Sequence, residues 1–383
     1  MTKLLSVIIA TRNREYYCIE AIKSILAINN DCIEICIADN SESDDVENFV
    51  KGLNSEMIKY IHNREKLTFI ENFNFAVGLS QGTYLVNIGD DDSILGSIVD
   101  VVRWAEANNV DTITPKNTIP YYWPNADARF PSGYMTIPFY KENLRKADSK
   151  EALKKLLKNG IVNYMFYDVP KIYHGIVKRD IMEKIKQITG SYFGGLSPDI
   201  FSVICIALTT NNHYITDSPL TIAGVCPSSG SADQLKGKHC GELKDMPHIQ
   251  NRKEPYKWDK DIPEFYSVTT IWGDSGLNAI DSMKFGEFRK YFNVYPLIAQ
   301  ALLMNRKQIL QLMLKKIDKL RVEKGISKVS FWGRIIYNIN RQVIDKIQRI
   351  YKEKITKPAT FINEVSDIHM AISIFEKSDQ KNI

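Results

Sequence analysis

Tyr84-Leu85-Val86-Asn87-Ile88-Gly89-Asp90-Asp91-Asp92 is the stretch on which the reading of this chain turns. Its first five residues are mostly apolar and suit a buried strand, Gly89 is a pivot, and three consecutive carboxylates follow. Adjacent like charges raise one another's pKa and repel, so a fold that keeps three at a strand end ordinarily supplies a cation to neutralise them. Carboxylate oxygens are hard ligands, which points to Mg²⁺ or Mn²⁺ rather than zinc. Taken in isolation, three aspartates also suit a solvated acidic turn. What precedes them tilts the choice.

Residues 4–10 (Leu-Leu-Ser-Val-Ile-Ile-Ala) are apolar almost without alternation, the pattern of a parallel strand buried on both faces. The polar turn Thr11-Arg12-Asn13-Arg14 closes it. Ile19, Ala21, Ile22, Ile25 and Leu26 then recur on one face of a helix. Residues 33–38 predict a second strand, ending at Asp39-Asn40-Ser41, and further strands are expected at 57–62 and 83–88 with a helix over 69–79 between them. This alternation implies an α/β fold, a mostly parallel Rossmann-like sheet with helices on both faces and ligands at the carboxyl ends of its strands. Thr11, Asp39 and the three aspartates lie at those ends. A dinucleotide-binding fold would need a glycine-rich turn after the first strand, and a P-loop likewise; Thr-Arg-Asn-Arg contains no glycine. Phosphates must then be held chiefly by metal and side chains.

Three blocks in order carry a resemblance: Ser-Val-Ile-Ile-Ala-Thr-Arg-Asn-Arg at 6–14, Ile-Cys-Ile-Ala-Asp-Asn-Ser at 35–41 and Gly-Thr-Tyr-Leu-Val-Asn-Ile-Gly-Asp-Asp-Asp at 82–92. Together they resemble the inverting glycosyltransferases of family 2, of bacterial surface-polysaccharide type, which have the GT-A fold. The likeness covers roughly the first 225 residues. It implies that Thr11 and Asp39 line a nucleobase pocket, with Asp39 accepting from a pyrimidine N–H, and that Thr11, Arg14, Asp39, Asp90 and Asp91 bind the sugar nucleotide. It also implies that the aspartates form a DXD-type motif holding the diphosphate through a divalent ion, with Asp91 and Asp92 as metal ligands. One departure stands out: members commonly show Asp-x-Asp-Asp, and here Gly89 takes the first position, so Asp91 matches the usual ligand. On the residues alone Asp39 also suits a helix cap.

Further along, Tyr121, Tyr122, Trp123, Phe130, Tyr134, Phe139 and Tyr140 fall among prolines, as a loop that stacks on sugars, covers the donor, or packs on the sheet. Residues 171–184 read as strand then helix, and His174 falls where the family presents its acceptor side; the other reading of this histidine is structural. Ser197-Pro198-Asp199 opens an apolar helix. By its position Asp199 suits a capping acid that complements the helix dipole; the resemblance makes it the general base.

The rest of the chain bounds the setting. Six cysteines have no metal-type spacing and read as reduced core thiols of a cytosolic protein. No apolar run approaches the roughly twenty residues of a membrane span, and residues 4–10 have no cleavage-type pattern behind them. The net charge of +5 divides unevenly: residues 306–357 hold 15 Lys and Arg against 4 Asp and Glu, leaving the remainder acidic. Within them, Trp332, Ile335, Ile336, Ile339, Val343, Ile347 and Ile350 form one helical stripe beside Arg334, Arg341, Lys346 and Arg349. Such a helix either packs on its own domain or lies on a membrane surface. Nucleic acid is argued against by the acidic remainder and by the absence of a motif.

The expected organisation is a catalytic GT-A domain over 1–225, a loop region over 226–264, a basic helical region over 265–365 and a frayed tail over 366–383. The expected function is metal-dependent inverting transfer of a hexosyl or deoxyhexosyl group from a nucleoside-diphosphate sugar to a glycan, or lipid-linked glycan, acceptor in surface-polysaccharide synthesis. The expected location is cytoplasmic, peripheral on the inner face of the cell membrane through 306–357. The alternative is a non-catalytic module of the same fold that binds a nucleotide-sugar or glycan. Nucleotidyl transfer would need a second acidic strand to hold two metals, and none is seen.

Overall fold

The computed structural model describes residues 3–229, 240–246, 249, 255–356 and 359–379. The chain opens as β1 (Leu5–Thr11), α1 (Glu15–Leu26), β2 (Ile33–Asp39), α2 (Asp45–Leu53), β3 (Ile58–His62), α3 (Phe69–Gly78) and β4 (Tyr84–Ile88). It continues with β5 (Ser93–Ile94), α4 (Ile98–Ala107), β6 (Thr112–Pro115), β7 (Ile119–Tyr122), β8 (Tyr134–Ile137), β9 (Leu144–Ala147) and α5 (Ser149–Lys158). Next come β10 (Ile176–Lys178), α6 (Arg179–Thr189), α7 (Pro198–Thr209), β11 (His213–Thr216), β12 (Thr221–Val225) and the short pair β13 (Cys240–Gly241) and β14 (Tyr266–Ser267). The C-terminal part is α8 (Val268–Ser282), α9 (Val294–Glu323), α10 (Lys328–Thr356), β15 (Thr360–Asn363) and α11 (Ile368–Asp379).

An eight-stranded sheet in the order β3-β2-β1-β4-β10-β6-β11-β9 organises the fold. Its first four strands are parallel, β10 runs antiparallel to both neighbours, and β11 returns parallel to β6. The unbroken apolar strands have the expected cause: alternate residues feed two cores. Ile8, Cys36 and Leu85 pack with Phe73, Ala76 and α7 on one face, while Val7, Ile9, Ile35 and Ile37 pack with Cys18, Ile22 and Ile25 of α1 on the other. Register then aligns the site. Thr11 pairs with Asp39, and Ile9 pairs with Ile88, so the chain after β4 carries Asp90 to the level of Thr11.

The aromatic region is no lid. It supplies β7 and β8 of a second sheet, order β15-β8-β7-β12-β5, in which Tyr121, Trp123 and Tyr134 are buried. Residues 366–379 also correct the expectation of a frayed tail. β15 pairs with β8, and α11 buries Ile368, Ala371 and Phe375 beside Tyr121 and Trp123, so an apolar face too short to be conspicuous in sequence completes this second core. Much of the 226–264 loop region (230–239, 247–248 and 250–254) lies outside the described residues.

The basic stripe splits along α10. Phe331, Ile335 and Asn338 are buried, the first two in the core shared with α9, whereas Ile336, Val343, Ile347 and Ile350 of the same expected stripe are exposed. At about 100° per residue, Phe331 and Ile335 point to one side, and Ile336 and Ile347 point away from it.

Candidate active site

The end of β4 is built as a closed knot. Asp90 accepts from Thr11 Oγ1 at 2.7 Å and pairs with Arg14 Nη2 at 2.7 Å, so the turn after β1 holds the first aspartate from two sides. Asn72 of α3 donates to the carbonyls of Thr11 and Ala38, tying that turn to the end of β2. Asp92 is consumed by support: its oxygens accept from the backbone N–H groups of Gly224 (2.6 Å) and Gly89 (2.5 Å), with the Tyr173 hydroxyl at 3.3 Å. Asp91 stands between. Its Oδ2 accepts from the Cys226 N–H at 2.9 Å, while Oδ1 has Arg14 Nη1 no nearer than 3.9 Å. Its carbonyl takes the indole N–H of Trp123.

Burial and mutual repulsion set the charge of the knot. Asp90 and Asp92 are both raised from the carboxylate range, first by burial and further by Asp91, with Arg14 opposing the shift at Asp90. Arg14 is the cation that faces the knot, 2.7 Å from Asp90 Oδ1 and 3.9 Å from Asp91 Oδ1. Two glycines make room for the knot. A Cβ on Gly224 would stand 1.8 Å from the Asp91 carbonyl oxygen, and one on Gly89 would stand within 2.9 Å of Asp91 Oδ1, Asp92 Oδ2 and the Tyr173 hydroxyl. Gly89, the departure from the common motif, is therefore matched to Tyr173, whose hydroxyl comes against that position.

The donor set suits a hard divalent cation attached through one carboxylate. Asp91 Oδ1 is the oxygen without a hydrogen bond, and Mg²⁺-type ions commonly bind one or two carboxylates and complete their shell with water and substrate phosphate. Asp92, expected as a second ligand, spends its oxygens on the β4 and β12 backbone. Among the described residues the group with converging ligand atoms is elsewhere: Asp44, Glu47 and His62, whose acids also pair with Arg64.

Asp39 lies beside Thr11, its oxygens accepting from the Ser41 N–H and the Tyr60 hydroxyl, both at 2.8 Å. His174 has φ +60° and a ring hydrogen-bonded to Thr221 at 3.0 Å. Burial, then the neighbouring Lys171 charge, pushes its pKa down to about 3. Its 3.5 Å approach to Asp92 is therefore a contact of a neutral imidazole, not an ion pair.

Asp199 sits at the mouth of α7, after Pro198, and caps nothing: among the described residues its carboxyl has neither a hydrogen-bond nor an ion-pair partner. Burial alone pushes its pKa up to about 6. Tyr173 links it to the knot, since this tyrosine feels the charges of Asp92 and Asp91 and also of Asp199. The mouth of α7 is fixed from the C-terminal region, where Ser275 Oγ of α8 accepts from the N–H groups of Leu196 and Ser197 at 2.9 and 3.0 Å. Sequence reading missed Tyr60, Tyr173, Gly224 and Ser275. No spacing signals any of them, because each reaches the site through tertiary packing.

Residues 6–160 match the profile Glycosyl transferase family 2. A 91-residue stretch is 35% identical to WcaA of Escherichia coli (strain K12), a protein named for glycosyl transfer in colanic acid biosynthesis, covering 23% of this chain and 33% of WcaA. A 169-residue stretch is 24% identical to Potassium channel KAT2 of Arabidopsis thaliana, covering 40% of this chain and 22% of the channel. The chain thus spans about a third of the length of the first of these relatives and less of the second. No helix among the described residues is long and apolar enough to cross a membrane. Among solved structures, S. aureus TarS 1-349 in complex with UDP-GlcNAc superimposes with a TM-score of 0.45 at 14% identity, over 90% of this chain and 92% of that one. The segment 6–160, which matches the Glycosyl transferase family 2 profile, carries Thr11, Arg14, Asp39 and the three aspartates.

Proposed function

We propose that this protein transfers a sugar from a nucleoside-diphosphate sugar to a glycan acceptor, with inversion at the anomeric carbon. The observation that carries the reading is Asp199: an unpartnered carboxyl with a pKa near 6, flanking the same tyrosine as the strand-end aspartates. A sugar hydroxyl is a poor nucleophile at neutral pH, and a carboxylate of that pKa is ionised there yet basic enough to take its proton as the new bond forms. Asp39 and Thr11 hold the base of a pyrimidine nucleotide, and Arg14 faces its diphosphate. Asp91 Oδ1 holds Mg²⁺ or Mn²⁺, which when bound supplies positive charge to the departing diphosphate. Attack opposite that leaving group inverts the centre. His174, neutral and hydrogen-bonded to Thr221, orients the acceptor side rather than exchanging protons. The transferred group is a hexosyl or deoxyhexosyl residue.

We place the acceptor on a lipid carrier at the inner face of the cell membrane. α10 supports this: Val329, Ile336, Tyr337, Val343, Ile344, Ile347, Ile350 and Tyr351 are exposed along one side, with Arg334, Arg341 and Lys352 along one margin and Lys328 and Lys346 along the other. Such a face sinks into the headgroup boundary while its cations meet anionic lipid, each worth about 1 kcal/mol. Replacing Ile344 and Ile347 by Glu should abolish flotation with anionic vesicles, and unchanged flotation would remove the membrane from the reading.

A panel of sugar nucleotides with Mg²⁺ or Mn²⁺ and a glycan acceptor tests the chemistry. Release of nucleoside diphosphate with a glycoside of inverted configuration is expected. Tight donor binding without release under every combination would leave a binding module.

A further inference from the structure

We propose that the groove between the turn Tyr164–Phe166 and helices α9 and α10 binds the phosphate group of a lipid phosphate or diphosphate, the carrier end of the acceptor. This rests on the transferase reading and names its acceptor class. The groove encloses about 750 Å³ and is lined by Phe166, Leu303, Met304, Arg306, Lys346 and Arg349, among others. Its chemistry is divided in the way such a ligand is divided. Phe166 and Met304 are exposed apolar surface, 63% and 45% accessible. Three cations line the groove against one acid, Asp345, and among the described residues no carboxylate pairs with Arg306, Lys346 or Arg349. Arg349 lies 4.2 Å above the Phe166 ring, which keeps the guanidinium in place with its N–H edge unspent.

Two connections give the groove a direction. Val343 both lines it and belongs to the exposed side of α10, where Val329, Ile336, Val343 and Ile350 recur every seven residues and so stay nearly in line. One end of the groove therefore opens onto the apolar face that a lipid chain would leave. At the other end the turn reaches the base. Tyr164 is buried near the Asp199 charge, and the next residue, Met165, offers its carbonyl to Lys171 Nζ at 3.3 Å, tying the turn to the segment that leads into Tyr173. A phosphate in the groove would leave its sugar on the Asp199 side of a three-residue turn. A second copy of the chain is a poor occupant, because a two-fold contact would set the same three cations against themselves.

The test uses the full chain and neutral phosphatidylcholine vesicles doped with polyprenyl phosphate, compared with vesicles given equal charge by phosphatidylglycerol. The protein should prefer the polyprenyl phosphate vesicles by about tenfold or more, the scale of one charged hydrogen bond. In the triple variant R306Q/K346Q/R349Q the preference should vanish, while donor-induced thermal stabilisation persists as evidence of the fold. A short-chain prenyl phosphate should displace the protein where inorganic phosphate at the same concentration does not. No preference, a preference kept by the triple variant, or equal displacement by inorganic phosphate would each overturn the assignment. Donor cleavage is read separately: a retained lipid-phosphate preference with no diphosphate release refutes transfer and leaves the groove.

Discussion

Asp90 and Asp92 at the strand end, and Asp199 at the mouth of α7, are acids moved above the ordinary carboxylate range, and they are moved by different means. At the end of β4, burial and adjacent like charge act together, and donors from β1, β12 and the 173 region have already claimed most of the oxygens. At the mouth of α7 burial acts alone, and the carboxyl is left without a partner. A carboxylate fixed by several donors is a poor base but a good support, and it fixes its neighbour Asp91 in turn. A carboxyl kept free is costly to the fold and ready for a proton. On the proposed function, this difference would divide electrostatic work from proton transfer.

Removing the charge on each side tests that division. Asp91→Asn should abolish transfer and metal-dependent nucleotide binding while circular dichroism stays unchanged. Donor affinity that still rises with Mn²⁺ in this variant would shift the ligand to Asp90. Asp199→Asn should bind donor normally and lose turnover by about 10²-fold or more, the scale of a positioned base. Near-normal transfer would make Asp199 a structural acid.

The supports of the two sites should separate in the same way. Ser275→Ala removes the acceptor of two N–H groups at the approach to α7, so turnover should fall by roughly tenfold through misplacement of Asp199, with donor affinity retained. Gly224→Ala drives a methyl into the Asp91 carbonyl and should cost about 1–3 kcal/mol of stability as β12 shifts, with donor affinity falling too. Swapped phenotypes, with Ser275→Ala weakening donor binding and Gly224→Ala slowing only turnover, would break the division.

Much of this was legible beforehand, and the reason is local. Strands β1, β2 and β4 announce themselves because burial on both faces demands continuous apolar residues, and the acids follow at their ends in sequence as in space. The place of Asp199 in the first turn of a helix was legible from Ser197-Pro198. What sequence could not show is orientation. Asp90, Asp91 and Asp92 are chemically identical letters, and only the positions of Arg14, Cys226 and Gly224, brought from two other strands, tell which oxygen is left over. The stripe on α10 failed for a related reason: a helical period reports that a face is apolar, not how much of it another helix will cover. The last residues were misread because twelve residues of α11 are too few to look stable before β8 and Trp123 are in place.

The smallest expected effect is on stability against pH. Asp199 has a folded pKa of about 6, above the roughly 3.9 of an unfolded aspartate. Between those values the native state binds the proton that the unfolded chain has released, so stability falls as pH rises from about 4 to 6 and is level above. Because the residue keeps some solvent access, the loss is on the order of 1–2 kcal/mol rather than the full value of the shift. Asp199→Asn deletes this term, since its amide has no charge to desolvate, and the variant should be more stable than the parent at pH 7 and nearly equal to it at pH 4. Turnover in the parent should run the opposite way, rising through pH 6 as the base ionises. Denaturant midpoints at the two pH values decide the matter. A variant less stable than the parent at pH 7 would mean that the ionised Asp199 is held by a partner, and its contrast with the knot at β4 would disappear.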